Sequence, residues 1–274
     1  MKKTQSKSQS KAQKQQGEAY VFITGASSGI GAATALELSK KKESLILTAR
    51  RLERLNKLQK QCIQLGAKNV LIYKLDVQNK NDVARLAQDL EKKKIQINVL
   101  VNCAGVAKGV ELFQNSKGAD SDEMIDTNVK ALLNITRELL PNLIRNRGHI
   151  LNLGSVAGHL VYEGGTVYCA TKFAVRAISD GLRMDLKGTG VRVTNIEPGM
   201  VNTEFSLVRL GNQQKADAVY SDMMPLTAMD IANCILWCLS QPPHVNISEL
   251  MIYPTDQASV GQVVRGEKSI KNLR

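Results

Sequence analysis

The chain is poor in aromatic residues: four Phe, six Tyr and one Trp in 274 residues. That leaves little with which to stack unpaired bases, so a nucleic-acid surface is not expected. The net charge of +12 would otherwise invite one, but its distribution argues against it. Lys2, Lys3, Lys7, Lys11 and Lys14 put +5 into residues 1–16, which hold no acid. Arg265, Lys268, Lys271 and Arg274 against Glu267 put +3 into residues 265–274, leaving +4 for the body. Long apolar runs are also missing. None approaches the ~20 residues that span a bilayer, and no apolar stretch follows the lysines of MKKTQSKSQSKAQKQQ. The expectation is a cytoplasmic chain with neither membrane nor nucleic acid as partner. The five cysteines include no C-x-x-C pair. Their odd number, without a secretion signal, points to reduced thiols. Cys234 and Cys238, four apart in an apolar helical stretch, read as packing. His149, His159 and His244 lack metal-ligand spacing, so no metal is expected.

What is present is alternation. AYVFIT (19–24), SLILTA (44–49), NVLIYKLDV (69–77), INVLVN (97–102), GHILNLGS (148–155), VRVTNIEPG (191–199) and ELMIYP (249–254) are apolar runs of strand length. Each is largely apolar on both faces, as parallel strands covered from both sides must be. Helical patterns lie between them at 29–41, 52–65, 80–93, 121–145, 166–187 and 228–240. Such alternation predicts an α/β fold with a parallel sheet. There is no internal repeat and no linker to split the body, so residues 18–265 read as one domain. Residues 1–17 read as a disordered basic tail and 266–274 as a C-terminal tail. The segment 200–227 breaks the alternation. It follows a strand, where α/β proteins place ligands, and is expected to form a substrate loop or lid.

Three stretches carry candidate chemistry. In FITGASSGIGAA, Gly25, Gly29 and Gly31 lie between a strand and a helix. There glycines let a backbone approach a pyrophosphate, and the helix N-terminus supplies amide donors. A glycine-rich turn without a ligand reads the same way. The second strand ends in LTARRLERL. A site for NAD usually holds an acid there for the ribose 2′-hydroxyl; here Arg50 and Arg51 could pair with a 2′-phosphate, or be a solvated pair opening a helix. In YCATKFAVRA, Tyr168 and Lys172 are four apart, on one helical face. Alone, that also fits an amphipathic helix with a surface lysine. If both face a site, the ammonium favours the phenolate and brings Tyr168 toward general acid–base work. Ser155, ending a predicted strand, could donate a hydrogen bond to the same substrate oxygen.

Together TGASSGIG (24–31), VNCAG (101–105), Asn128, Ser155, Tyr168-x-x-x-Lys172 and PGMVNT (198–203) resemble the short-chain dehydrogenase/reductases over about residues 18–265. The resemblance implies a single Rossmann-type, doubly wound parallel sheet of about seven strands with helices on both faces. It implies catalysis by Asn128, Ser155, Tyr168 and Lys172, with Asn128 holding a proton-relay water and Lys172 also binding the nicotinamide ribose. The implied cofactor contacts are Gly25, Ser27, Ser28, Gly29, Ile30, Gly31, Arg50, Arg51, Asp76, Val77, Asn102, Ala104, Gly105, Tyr168, Lys172, Pro198, Gly199, Val201 and Thr203. Asp76 would contact the adenine, although a turn or helix cap is its plain alternative. Cys103 stands where many members have a second Asn. EPGMVNTEFSLVRL, PPHVNISELMIYPTDQAS and LILTARRLERL are similar to the NADP-dependent 3-hydroxy acid dehydrogenases, a subgroup that includes serine and allo-threonine dehydrogenases. The expected cofactor is therefore NADP, and the expected substrate a small 3-hydroxy acid. Phe205 and Arg209 join Ser155 as substrate candidates. Arg209 could clamp a carboxylate, or be a solvated arginine or a partner of Glu204. The same catalytic set also suits an acyl-thioester or other carbonyl reductase. A non-catalytic NADP-binding protein would not need all four residues. The resemblance further implies a homotetramer, with helices 121–145 and 166–187 at an interface.

Overall fold

The computed structural model describes residues 18–272; the basic segment 1–17 lies outside the described residues, as do 273–274. The chain alternates as its apolar runs require. β1 (Ala19–Thr24), α1 (Gly29–Lys40), β2 (Ser44–Ala49), α2 (Leu52–Gln64), β3 (Val70–Lys74), α3 (Lys80–Lys92) and β4 (Gln96–Asn102) form the first half. Then come α4 (Gly118–Ile125), a π-helical turn (Asp126–Ala131), α5 (Leu132–Arg145), β5 (His149–Leu153), α6 (Thr166–Asp185) and β6 (Arg192–Pro198). β7 (Val201–Asn202), α7 (Glu204–Leu210), α8 (Gln213–Ala218), β8 (Leu226–Thr227), α9 (Ala228–Leu239) and β9 (Glu249–Ile252) follow. A hairpin, β10 (Gln257–Ser259) with β11 (Gln262–Val263), leads to two 3-10 turns, Gly266–Lys268 and Ile270–Asn272.

Seven strands make one parallel sheet in the order β3-β2-β1-β4-β5-β6-β9. Each strand sends alternate residues to opposite faces. In β1, Val21 and Ile23 join Leu45, Leu47, Leu55, Ile231 and Ile235 on the α1–α2–α9 side. Tyr20 and Phe22 join Ile46, Leu86, Leu90, Ile135 and Leu139 on the α3–α5 side. The fold is thus a Rossmann-type sheet with a core on each face. Strand order reverses between β1 and β4, because the chain builds outward to β3 and then returns. A cleft opens beyond the carboxyl ends of the strands at such a switch point.

The segment 200–227 is tied at both ends, since β7 pairs with β8 in parallel. Between them lie the short helices α7 and α8, and the segment is termed the lid for its place along the cleft. Residues 266–272, expected to be part of a tail, are docked. Ser269 is buried, and Asp256 accepts from its hydroxyl (2.6 Å), from the Ile270 amide (2.8 Å) and from the lid's Met224 amide (2.7 Å). No helix among the described residues is long and apolar enough to cross a membrane.

Candidate active site

The glycine loop is built by contact with β4. Gly25 has φ +64°, and a Cβ there would lie 2.9 Å from the Ala104 backbone, so only glycine fits. Gly31 has an ordinary φ, but a Cβ would stand 2.7 Å from the Gly25 carbonyl oxygen. Thr24 completes the joint by accepting from the Ala104 amide at 3.1 Å. Helix α1 therefore starts close against the strand ends, with its first-turn amides facing the cleft. Its cap residue Ser28 makes no side-chain cap bond. Instead Ser28 Oγ accepts from Arg51 Nη2 at 2.9 Å, and Ser27 Oγ does so at 3.1 Å.

A cleft of about 1050 Å³ runs from this loop to α6 and the lid. Arg50 and Arg51 line the end beyond β2, beside Asp76 and Val77. Asp76 also makes the cap contact that was its plain alternative, accepting from the Gln78 amide at 3.1 Å. Pro198, Gly199, Val201 and Thr203 line the cleft from the end of β6 onward.

Tyr168 and Lys172, one turn apart on α6, face the middle of the cleft. Lys172 is buried, donates to the Leu153 carbonyl at 2.7 Å, and places Nζ 5.8 Å from the Tyr168 ring centroid. Burial pushes its pKa down to about 8. Burial also pushes the Tyr168 phenol well above its ordinary value, with Tyr162 adding to the effect; a hydrogen bond from Ser155 and the charge of Arg209 act the other way. Desolvation dominates both groups, raising the phenol and lowering the ammonium, so both are biased toward neutrality. Ser155 Oγ accepts from the Ala157 amide (3.1 Å) and reaches toward the Pro198 carbonyl (3.4 Å). Behind this turn His159 Nε2 meets the buried Glu197 carboxylate at 2.7 Å. That contact ties the Ser155 turn to the end of β6.

The lid supplies Phe205, whose ring centroid lies 5.8 Å from that of Tyr168, and Arg209. Arg209 is not a solvated residue, nor a partner of Glu204. Its Nε donates to the Gly109 carbonyl (2.9 Å) and its Nη1 to the Tyr162 hydroxyl (3.0 Å). The guanidinium carbon sits 5.5 Å from the Tyr162 ring centroid and 5.7 Å from that of Tyr168. Two of its five N–H groups are used, so others remain for an anion beside the phenol.

Two candidates do not line the cleft. Asn102 is buried and donates to Thr136 Oγ1 (3.1 Å) and Asn152 Oδ1 (2.9 Å), while Asn152 donates to Ser179 (2.9 Å). This polar ladder joins α5, β4, β5 and α6 beneath the site. Asn128 sits in the π-helical turn, behind the cleft wall. Its amide donates to the Val106 carbonyl (2.8 Å) and Thr171 (3.0 Å), and its Oδ1 accepts from the Val106 amide (2.8 Å). Both amide hydrogens are committed, so a water on this side chain would have only a lone pair of Oδ1. The remaining cofactor and substrate candidates all line the cleft. So do Tyr162, Gln257 and Arg265, which the sequence reading missed. No spacing marks them; only Gly165, where a Cβ would meet the Tyr162 ring, hints at one.

A glycine loop at a switch point, facing a Tyr–Lys helix and a Ser turn, defines a dinucleotide-dependent oxidoreductase site. Comparison with known proteins agrees. The short chain dehydrogenase family profile matches residues 19–212, and the chain belongs to that family. The serine 3-dehydrogenase of Agrobacterium fabrum is 45% identical over 89% of this chain and 98% of its own. The NADP-dependent 3-hydroxy acid dehydrogenase of Salmonella typhimurium is 44% identical over 88% of this chain and 97% of its own. The closed form of a serine dehydrogenase complexed with NADP+ superposes with a TM-score of 0.84 at 40% identity, covering 90% of this chain and 99% of that one.

Proposed function

We propose that the chain is an NADP-dependent oxidoreductase acting on small 3-hydroxy acids such as L-serine, allo-threonine or 3-hydroxyisobutyrate. The observation that carries the substrate class is Arg209. It is a guanidinium with unused donors, set over the ring of the candidate acid–base residue, where a carboxylate next to the reacting carbon would fall. Relatives more than 40% identical over nearly nine-tenths of the chain, named for serine and 3-hydroxy acid oxidation, support the same reading. NADP suits the residues present. The Gly25–Gly31 cradle admits a pyrophosphate to the α1 amides, and Arg50 and Arg51 offer cations for a 2′-phosphate where an acid is missing.

When bound, the cofactor supplies or accepts the hydride. Tyr168 holds the proton that balances it, giving it to the carbonyl oxygen in reduction and taking it from the hydroxyl in oxidation. The neutral phenol favoured by burial is the form that donates. Ser155 donates a hydrogen bond to the same oxygen as charge develops there. Lys172, held by the Leu153 carbonyl, keeps donors free for the ribose. Arg209 orients the substrate by its carboxylate.

The test is a panel. Serine, allo-threonine, 3-hydroxybutyrate and 3-hydroxyisobutyrate are assayed with NADP+, and acetoacetyl thioesters with NADPH. Arg209→Met should raise KM for the acids about 10- to 100-fold, the scale of a lost charge-assisted contact. It should barely change KM for an uncharged alcohol of similar size. Equal losses on both would make Arg209 a support of the lid and remove the basis for acid specificity.

A further inference from the structure

Glu204 opens α7, at the cofactor side of the lid. Its carboxylate reaches across the cleft to the start of α2. Oε1 and Oε2 each lie 2.7 Å from Arg54 Nη1, and Oε2 lies 3.3 Å from Arg51 Nη1. The same Arg51 donates to Ser27 and Ser28 of the glycine loop. Thr203, the cap of α7, stands against that loop too, its Cβ 3.6 Å from where a side chain on Gly29 would begin. One carboxylate on the substrate lid is thus seated on the guanidinium proposed for the cofactor's 2′-phosphate. The two arginines hold its carboxyl below the ordinary range, Arg54 most strongly, so at neutral pH the seat is taken by an anion.

We propose that Glu204 is a resident competitor for the 2′-phosphate of NADP(H), and so sets how far the site prefers NADP(H) over NAD(H). The proposal rests on the reading that the phosphate is received at Arg51. A phosphate arriving there meets a carboxylate already paired with the same cation, and like charges at that range oppose one another. It must share Arg51 or displace Glu204 onto Arg54 alone. NAD(H) brings a neutral 2′-hydroxyl, which meets no such opposition and can donate to a carboxylate, as it does to the acid of NAD-binding sites. Glu204 therefore weakens NADP(H) and leaves NAD(H) unchanged or slightly favoured. The size is bounded by exposure. The Glu204 and Arg51 side chains are 43% and 41% exposed, and pairs of that kind are worth about two- to fivefold in an equilibrium constant.

The experiment is equilibrium binding of NADPH and NADH to the full chain, read by nicotinamide fluorescence without substrate. In 20 mM salt, Glu204→Gln should tighten NADPH about two- to fivefold and leave NADH unchanged or slightly weaker. The gain should shrink in 0.5 M salt, where exposed charges are screened. Arg51→Met should weaken NADPH far more than NADH. In its background Glu204→Gln should have little further effect, because the contested cation is gone. If Arg51→Met binds NADPH as wild type does, the placing of the phosphate fails and the proposal with it. If Arg51→Met loses its preference for NADPH but Glu204→Gln leaves the NADPH-to-NADH ratio unmoved, or tightens both equally, the proposal alone is overturned.

Discussion

At the scale of single residues, burial rather than sequence neighbourhood sets the chemistry. Tyr168 and Lys172 share a helix face as their spacing requires, yet desolvation dominates both. Tyr168→Phe removes the proton carrier and little else, because the ring still packs on Phe205. It should lower kcat about 10²–10⁴-fold while leaving the Kd for NADPH within a factor of two or so; near-normal turnover would remove Tyr168 from the acid–base role. His149 shows the same physics away from the site. It is buried in β5, and its Nε2 must donate to Thr194 Oγ1 (2.7 Å), because that hydroxyl donates onward to the Ile247 carbonyl (2.6 Å). Burial, helped by the charge of Arg192, pushes its pKa down to about 3. Between about pH 6.5 and 3 the unfolded chain holds a proton that the native chain does not. Stability therefore falls as pH falls through this window, by about 1.4 kcal/mol per unit from this group. Urea midpoints at pH 7 and pH 5 should drop further for wild type than for His149→Gln. Parallel drops would place the acid sensitivity elsewhere.

At the scale of elements, the lid is held by a segment the sequence reading set aside. Asp256 joins the lid's Met224 to Ser269 and Ile270 of the C-terminal turns. Arg265 donates to the Val219 carbonyl (2.9 Å) and to that of Ser221, and it also lines the cleft. The carboxylate only accepts here, so an amide in its place would turn a donor toward other donors. Asp256→Asn should raise KM for the substrate about tenfold, the scale of one lost charge-assisted hydrogen bond. The Kd for NADPH should change much less, because Asp256 holds Met224 at the β8 end of the lid and not the Glu204 end beside Arg51. Protease should cut residues 264–272 faster in the variant. A shift in NADPH affinity as large as that in KM would mean the clasp supports the whole sheet end.

At the scale of the whole molecule, assembly is the open expectation. The stretch ALLNITRELL lies in one of the helices expected at an interface, but its Leu132, Ile135 and Leu139 are buried within the chain. What those helices leave outside is Ile125, Ile144, Phe173 and Met184, the last 70% exposed. A second apolar group, Met229 and Trp237 on α9 with Met251 on β9, lies on other elements. Exposed apolar side chains on these elements are what contacts between copies would bury, as the expected homotetramer requires. Sedimentation at micromolar concentration should give four times the chain mass of 30.0 kDa, and a monomer would refute it. Removing the basic residues 2–16 should leave that mass ratio and the activity unchanged, since the segment has no apolar pattern to bury.

The sequence by itself determined what depends on local pattern. Strands apolar on both faces and helices at their period dictate a parallel α/β sheet, because only layers on both sides can bury such runs. Gly25 and Gly31 are legible for the same reason: a strand-to-helix turn this tight admits no side chain. Tyr168 and Lys172 follow from four-residue spacing. Tertiary structure decided what depends on residues far apart in the chain. Asn102 looks like a cleft residue at a strand end, but alternation along β4 turns its side chain away, into a polar ladder. Asp256, Arg265 and Tyr162 carry no motif, and their roles exist only because the lid and C-terminal turns close over one sheet end. Glu204 and Arg51 are 153 residues apart. Their contact, and the direction in which burial moves the Tyr168 phenol, arise from packing that no spacing encodes.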